Sequence, residues 1–284
     1  MAGLPRRYAL RNDDGMIHLP GPFWMIGCGN MAGAMLEGWL AAGLDPDRVT
    51  VIRPSGTPAP GGVRTLTALP ADETPAIAML GVKPQKLDDV APSLAPALAP
   101  ETILVSILAG VETASLRARF AAPRTIVRAM PNTPVALRKG ATGLFSDSAH
   151  PAAREAVGAL MTALGHAEWV EDEDLLHVVG ALCGSGPAFV FRFIDAIAAA
   201  GAALGLPPEQ AARLALATVD GAGSLAGSSP ETPHELAVRV TSPGGMTAKG
   251  LDILDDDAAL ADLVRRTLEA AVDRSREMGA AARR

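Results

Sequence analysis

Ser242-Pro243-Gly244-Gly245-Met246-Thr247 is the stretch of this chain best equipped to hold an anion. Ser242 suits a helix N-cap and Pro243 the first helical position. Gly244 and Gly245 would then fill the first turn, where each costs up to ~1 kcal/mol relative to alanine. Glycines in that place make sense if a ligand must come close to the backbone. The bare amides of a helix N-terminus attract a carboxylate or a phosphate. Thr247 adds a hydroxyl, and its Cα–Cβ bond leans back toward that terminus. A loop that merely ends in a helix would carry the same residues, so the stretch does not decide alone.

A second such row lies near the start of the chain. Phe23-Trp24-Met25-Ile26 is a short apolar run, Gly27-Cys28-Gly29-Asn30-Met31-Ala32 follows, and Ala34 to Leu40 reads as a helix. Strand, glycine turn and helix in that order fit the dinucleotide fingerprint, with alanine in the permitted last position. Gly27 makes the tight turn, Gly29 admits a pyrophosphate, and Ala32 lets helix and strand pack closely. Asn30 and Met31 complete the cofactor candidates of this turn.

The next strand ends in Ile52-Arg53-Pro54-Ser55, without the Asp or Glu that would hold ribose hydroxyls. Arg53 can stack on adenine and, with the Ser55 hydroxyl, bind a 2′-phosphate. That predicts NADPH as the cofactor, with NADH weaker. Three more segments fall beyond the carboxyl ends of predicted strands, where open α/β sheets bind ligands. They are Val82-Lys83-Pro84-Gln85, Leu108-Ala109-Gly110 and Met130-Pro131-Asn132-Thr133-Pro134. Val82, Lys83, Pro84, Ala109, Gly110 and Asn132 are the cofactor-binding candidates among them, Asn132 because its amide is both donor and acceptor. Turn chemistry explains each segment equally well. Gly184-Ser185-Gly186-Pro187 predicts another glycine-rich helix start, with Ser185 a candidate substrate contact and helix packing the competing explanation.

The elements that must position these residues alternate through the first part. Strands are predicted near 49–53, 61–66, 76–82, 102–108 and 125–130, with shorter ones at 143–145 and 168–170. Helices are predicted over 87–98, from after Gly110 through Phe120, and over 151–164. Apolar strands alternating with helices imply a doubly wound parallel sheet covered on both faces. Beyond Glu171 only helices are predicted: 172–182, 187–204, 207–226, 233–240, 243–254 and 258–278. The helix from Pro187 to Leu204 is apolar nearly all round, which suits a dimer interface or an ordinary bundle. Arg192 and Asp195, a turn apart on it, read as a buried or partly buried pair. The expected division is a variable leader at 1–20, an α/β Rossmann-type nucleotide domain at 21–170, and an all-α substrate-binding and dimerisation domain at 171–284.

Composition narrows the function further. Of 284 residues, 49% are hydrophobic and 20% charged, enough apolar chain for a sizeable core. A net charge of −6 argues against a nucleic-acid partner. Cys28 and Cys183 cannot build a disulfide framework, and the five histidines lack metal-ligand spacing, so no metal is expected. Residues 1–20 lack the apolar core of a signal peptide. The segment 188–206 is interrupted by Arg192 and Asp195, so a soluble helix and a cytoplasmic protein are expected, with no membrane partner.

Taken together, the motifs at Gly27–Met31, Gly81–Gln85, Arg128–Pro134, Gly184–Ala188 and Val240–Thr247 make the chain similar to the pyrroline-5-carboxylate reductases over about Phe23 to Met278. Ala32 stands where many members have Gly, and Thr232-Pro233 replaces a more usual His-Pro. The resemblance implies NADPH-dependent reduction of 1-pyrroline-5-carboxylate to proline by a homodimer, in some assemblies a larger ring. It implies that amides near Ser242, Gly244, Gly245 and Met246 clamp the substrate carboxylate, and that Thr247 is the catalytic hydroxyl beside the ring nitrogen. Two alternatives remain at this point. A β-hydroxyacid-type reductase would need a lysine on the long central helix, which has none. A non-catalytic NADPH-binding regulator would have no use for Ser242 and Thr247.

Overall fold

The computed structural model describes residues 17–282; most of the predicted leader lies outside them. By their contacts the described residues form two compact units, 17–185 with 271–282, and Gly186–Ala270. The first unit thus runs past residue 170 and includes the end of the last helix.

That unit is built on a sheet whose inner strands are short and apolar enough to be buried on both faces. The strands are β1 (Phe23–Ile26), β2 (Val49–Ile52), β3 (Arg64–Leu66), β4 (Ile77–Leu80), β5 (Ile103–Ser106), β6 (Thr125–Met130), β7 (Gly140–Phe145) and β8 (Gly165–Trp169). Their order is β3-β2-β1-β4-β5-β6-β7-β8. β1 to β6 are parallel neighbours, and the order reverses at β1 and β4, the switch point where such sheets bind ligands.

Side chains alternate across the strands with period two. Phe23, Met25, Val51, Ile77, Met79 and Val105 face one way and meet Met35, Leu36 and Trp39 of α1 (Asn30–Ala41) and Val157 and Leu160 of α4 (Pro151–Thr162). Trp24, Ile26, Ala78, Leu80, Leu104 and Ile126 face the other way. They meet Leu87, Ala91 and Leu94 of α2 (Leu87–Leu94) and Leu116 of α3 (Thr113–Arg119). Both tryptophans that anchor these layers also satisfy their N–H groups. Trp39 Nε1 donates to the Leu160 carbonyl at 2.7 Å, and Trp24 Nε1 to Glu73 at 2.6 Å.

β7 departs from the all-parallel expectation: it pairs antiparallel with β6, Met130 opposite Gly143. Residues 131–139 are too few for the crossover of about a dozen residues that a parallel return needs. β8 then pairs parallel with β7 by way of α4.

α5 (Leu175–Val179) passes through a π-helical turn at Gly180–Gly184 into α6 (Gly186–Ala203). The glycine-rich segment before Pro187 is therefore a bulge in one helical run, not a new helix start. By length and composition that run, 175–203, could cross a membrane.

The helical unit consists of α6, α7 (Pro208–Ser228), α8 (Pro233–Arg239), α9 (Met246–Asp255) and the first part of α10 (Ala259–Ala282). α6 and α7 pack side by side. Arg192 and Asp195 pair at 2.9 Å but are exposed in the protomer, contrary to expectation. Among the unit's apolar residues only Ala211, Ala215 and Leu236 are buried, while Phe191 is 63% exposed and Phe193 50%. Thr232, where the sequence departs from His-Pro, is an N-cap: Glu235 N–H donates to its hydroxyl at 3.2 Å and its own N–H to the Glu235 carboxylate at 2.7 Å.

Candidate functional site

The glycine turn after β1 is shaped for close approach. Gly27 has φ +88°, and a Cβ there would lie 2.8 Å from Val82 Cγ1 and 3.0 Å from the Gly81 carbonyl oxygen. Gly29 is the N-cap of α1 in extended conformation and, having no side chain, offers no cap. A Cβ on Gly29 would meet nothing within 4 Å, so the amides at the start of α1 open onto free space. The close packing assigned to Ala32 depends equally on Gly81, where a Cβ would stand 2.9 Å from Ala32 Cβ. Val82, Lys83 and Pro84 follow directly, with Lys83 exposed as N-cap of a single 3-10 turn.

Arg53 and Ser55 are brought together as predicted. Arg53 Nε donates to Ser55 Oγ at 3.1 Å, and Thr57 adds its N–H at 3.3 Å and its hydroxyl at 3.0 Å. Three donors thus converge on one oxygen in an exposed loop. The groove between this loop and α1 has a volume of about 600 Å³ and is lined by Cys28, Gly29, Asn30, Glu37 and Arg53. Burial pushes the Cys28 thiol up from its ordinary range; Arg53 opposes that shift and Glu37 reinforces it. Cys183 is pushed up by burial too, so neither cysteine is an activated nucleophile.

The remaining loops of the sheet unit are fixed by contacts that periodicity does not reveal. Ala109 is exposed, and Gly110, at φ +75°, sits against the backbone of Met278 and Gly279 near the end of α10. Asn132 is 7% exposed. Its Oδ1 accepts from the Ala141 N–H at 2.8 Å and its Nδ2 donates to the Cys183 carbonyl at 3.1 Å. The amide expected to meet a ligand thus braces backbone on both its polar atoms. Ser185, half-buried, closes the π turn by donating its N–H to the Gly180 carbonyl at 3.0 Å.

Two residues to which the sequence reading gave no role complete this bracing. Arg128, buried in β6, donates from Nη1 to Glu173 Oε1 at 2.8 Å. The same oxygen accepts the Thr113 N–H and hydroxyl, each at 2.7 Å. Glu173 thereby caps the N-terminus of α3 from outside, since the N-cap residue Glu112 supplies no side-chain cap. One carboxylate oxygen joins β6, α3 and the approach to α5. A lone arginine inside an apolar strand was the available signal, because a buried guanidinium must be paired.

In the helical unit the stretch expected to bind an anion differs from expectation by three residues. Gly245, not Ser242, is the N-cap of α9, and Met246 is its first residue. Ser242-Pro243-Gly244-Gly245 is a turn closed by the Gly245 N–H on the Ser242 carbonyl at 2.9 Å. Proline second and a glycine at φ +70° third is the type II pattern. Pro243 fits that turn position as well as a first helical position, which is why sequence alone misplaces the start. The Gly245 amide is therefore engaged. The first-turn amides of Met246, Thr247 and Ala248 precede the first intrahelical bond, from Lys249 N–H to the Gly245 carbonyl. Met246 is 94% exposed and Thr247 is exposed too.

Comparison with known proteins converges on one family. A family model described as pyrroline-5-carboxylate reductase dimerisation matches residues 173–278, and one described as NADP oxidoreductase coenzyme F420-dependent matches residues 23–110. Pyrroline-5-carboxylate reductase of Pseudomonas aeruginosa is 41% identical over 262 residues, covering 89% of this chain and 95% of its own. The Vibrio alginolyticus protein of the same name is 36% identical over 261 residues, covering 89% and 96%. The solved structure of a pyrroline-5-carboxylate reductase from Coxiella burnetii matches with a TM-score of 0.85 at 33% identity, covering 92% of this chain and 99% of its own. A Plasmodium falciparum pyrroline carboxylate reductase structure with NADP bound matches at 0.75 and 25% identity, covering 93% and 100%.

Proposed function

The chain belongs to the pyrroline-5-carboxylate reductase family, and we propose from that premise how its residues divide the work of reducing a cyclic imine. The reaction is NADPH-dependent reduction of the C=N bond of 1-pyrroline-5-carboxylate to proline. The observation that carries the assignment is the turn at Gly27–Asn30, open at Gly29 and facing the same groove as Arg53. A pyrophosphate fits the uncapped start of α1. A 2′-phosphate fits the donors that now converge on Ser55 Oγ. Bound there, NADPH supplies the hydride that the C=N carbon accepts.

The protein's own part is to bind, orient and exclude water. Gly27, Gly29, Asn30 and Met31 receive the pyrophosphate, and Arg53 with Ser55 selects the 2′-phosphate. Val82, Lys83, Pro84, Ala109 and Gly110 border the path of the dinucleotide along the carboxyl ends of β4 and β5. The exposed amides at Met246 and Thr247, preceded by the Ser242–Gly245 turn, hold the substrate carboxylate. The Thr247 hydroxyl hydrogen-bonds near the ring nitrogen and steadies it as it becomes an amine. Ser185 is a further substrate contact. The protein works as a homodimer, a unit able to assemble further into a ring, in the cytoplasm.

Thr247→Ala is the direct test. NADPH affinity stays within about twofold, while kcat/KM for the imine falls at least tenfold, and about 10²-fold if the hydroxyl acts as a general acid. Thr247→Ser recovers most of the activity. Wild-type kcat/KM in the alanine variant, measured at saturating NADPH, would remove Thr247 from the mechanism.

A further inference from the structure

We propose that Asn132 is a positioning residue: its side chain takes charge of a helix carbonyl that Pro187 cannot serve, and so holds the π turn and Ser185 beside the end of β6. This rests on Ser185 being a substrate contact, as read above.

The reasoning begins with Pro187. In an uninterrupted α-helix its N–H would be given to the carbonyl four residues back, that of Cys183. Proline has no N–H, and its ring crowds that same carbonyl. The run from α5 to α6 does not break there. It takes in an extra residue, and the Ser185 N–H reaches back five residues to Gly180 at 3.0 Å. The Cys183 carbonyl is left needing a donor, and Asn132 Nδ2 is 3.1 Å away.

Asparagine is the side chain this place requires. The Ala141 N–H, 2.8 Å from Oδ1, can be met only by an oxygen, which fixes the orientation of the amide and turns Nδ2 toward Cys183. One planar group therefore joins the end of β6, the start of β7 and the π turn. Aspartate keeps the first contact and loses the second. With Asn132 nearly buried, the tie is shielded from water.

The test is a double-mutant cycle between Asn132→Ala and Pro187→Ala in the full-length protein. Alanine at 187 restores an N–H for the Cys183 carbonyl and makes the asparagine donor redundant. Loss of the Ala141 contact is common to both backgrounds and cancels. Asn132→Ala in the Pro187 protein lowers kcat/KM for the imine roughly 20-fold, as expected for an orphaned carbonyl, with KM for NADPH within about twofold. In the Pro187→Ala background the same change costs less than about threefold. Hydrogen exchange across residues 180–186 follows the same cycle: faster in Asn132→Ala, restored in the double variant.

Asn132→Asp, nearly isosteric and assayed at a pH where the carboxylate is ionised, keeps the Ala141 contact and loses only the donor, and it tracks Asn132→Ala. Equal losses in both backgrounds would overturn the proposal, as would wild-type behaviour of Asn132→Asp. So would a raised KM for NADPH with kcat unmoved, which would make Asn132 a direct cofactor contact. If the wild-type protein failed to reduce the imine, the functional reading would fall, and the exchange cycle would still decide the tie.

Discussion

The sheet unit and the helical unit are made from similarly apolar sequence and end in opposite states. In the sheet unit the largest side chains disappear inside: Trp24, Trp39, Phe23 and Phe120 are fully buried. In the helical unit Phe191, Phe193 and Leu204 lie open, and what is buried is mostly alanine. Burying a Leu or Phe side chain stabilises by about 1.5–3 kcal/mol, so a unit that leaves so many outside is incomplete by itself. The match to a dimerisation family over residues 173–278 names what completes it. One unit closes its core within the chain, and the other closes it between chains.

The strongest way to break that contrast is a charge on the open face. Phe191→Glu is expected to yield monomers and to abolish turnover, because a carboxylate cannot be buried unpaired in an apolar interface. Light scattering together with an NADPH oxidation assay checks it. An active dimer in this variant would place Phe191 outside the interface.

Next comes the Arg53–Ser55 loop of the sheet unit, whose donors are in place within one protomer. Arg53→Ala with Ser55→Ala should raise KM for NADPH by ten- to a hundredfold and leave NADH nearly unchanged, since a charge-assisted contact is worth about 1.5–3 kcal/mol. Equal kcat/KM for the two cofactors in the wild-type protein would contradict the assignment.

The smallest effects come from paired glycine substitutions. Gly81→Ala forces a Cβ against Ala32 and the Gly27 carbonyl, and should cost about 1–3 kcal/mol, read as a lower midpoint in urea. Gly223→Ala on α7 meets nothing within 4 Å in the protomer. On a solvent face it would stabilise by up to about 1 kcal/mol. Under a partner subunit it would destabilise instead. The sign of that shift tells whether this part of α7 belongs to the covered face.

Legibility in the sequence followed the same divide. β1, β2, β4, β5 and β6 could be read closely, because short, mostly apolar runs buried on both faces leave little choice of conformation. β7 was harder, since Gly140, Thr142 and Gly143 dilute its apolar pattern. The Arg53–Ser55 pair and the Gly27–Asn30 turn are local in sequence, and both stand where they were expected. Two other features were hidden for physical reasons. Pro243 satisfies a turn and a helix start equally, so the boundary of α9 depends on geometry that residue type does not carry. Asn132 answers a carbonyl far along the chain, at Cys183, and Glu173 joins segments equally remote. No local pattern announces a hydrogen bond of that span.

The helical unit, Gly186–Ala270, interrupts the sheet unit in sequence, and α10 brings the chain back to it. His177 then shares a hydrogen bond with Ser275 at 2.8 Å, and Arg276 reaches Asp174 at 3.0 Å. During vectorial synthesis the ribosome has made the whole sheet well before it makes these partners. At usual elongation rates the interval lasts on the order of 10 s. Through it α5 waits without its bracing, and the helical unit emerges with its apolar face uncovered. The nascent chain is thus most prone to aggregate late in translation, and a chaperone that shields residues 186–270 would raise the yield more than one acting on the first half.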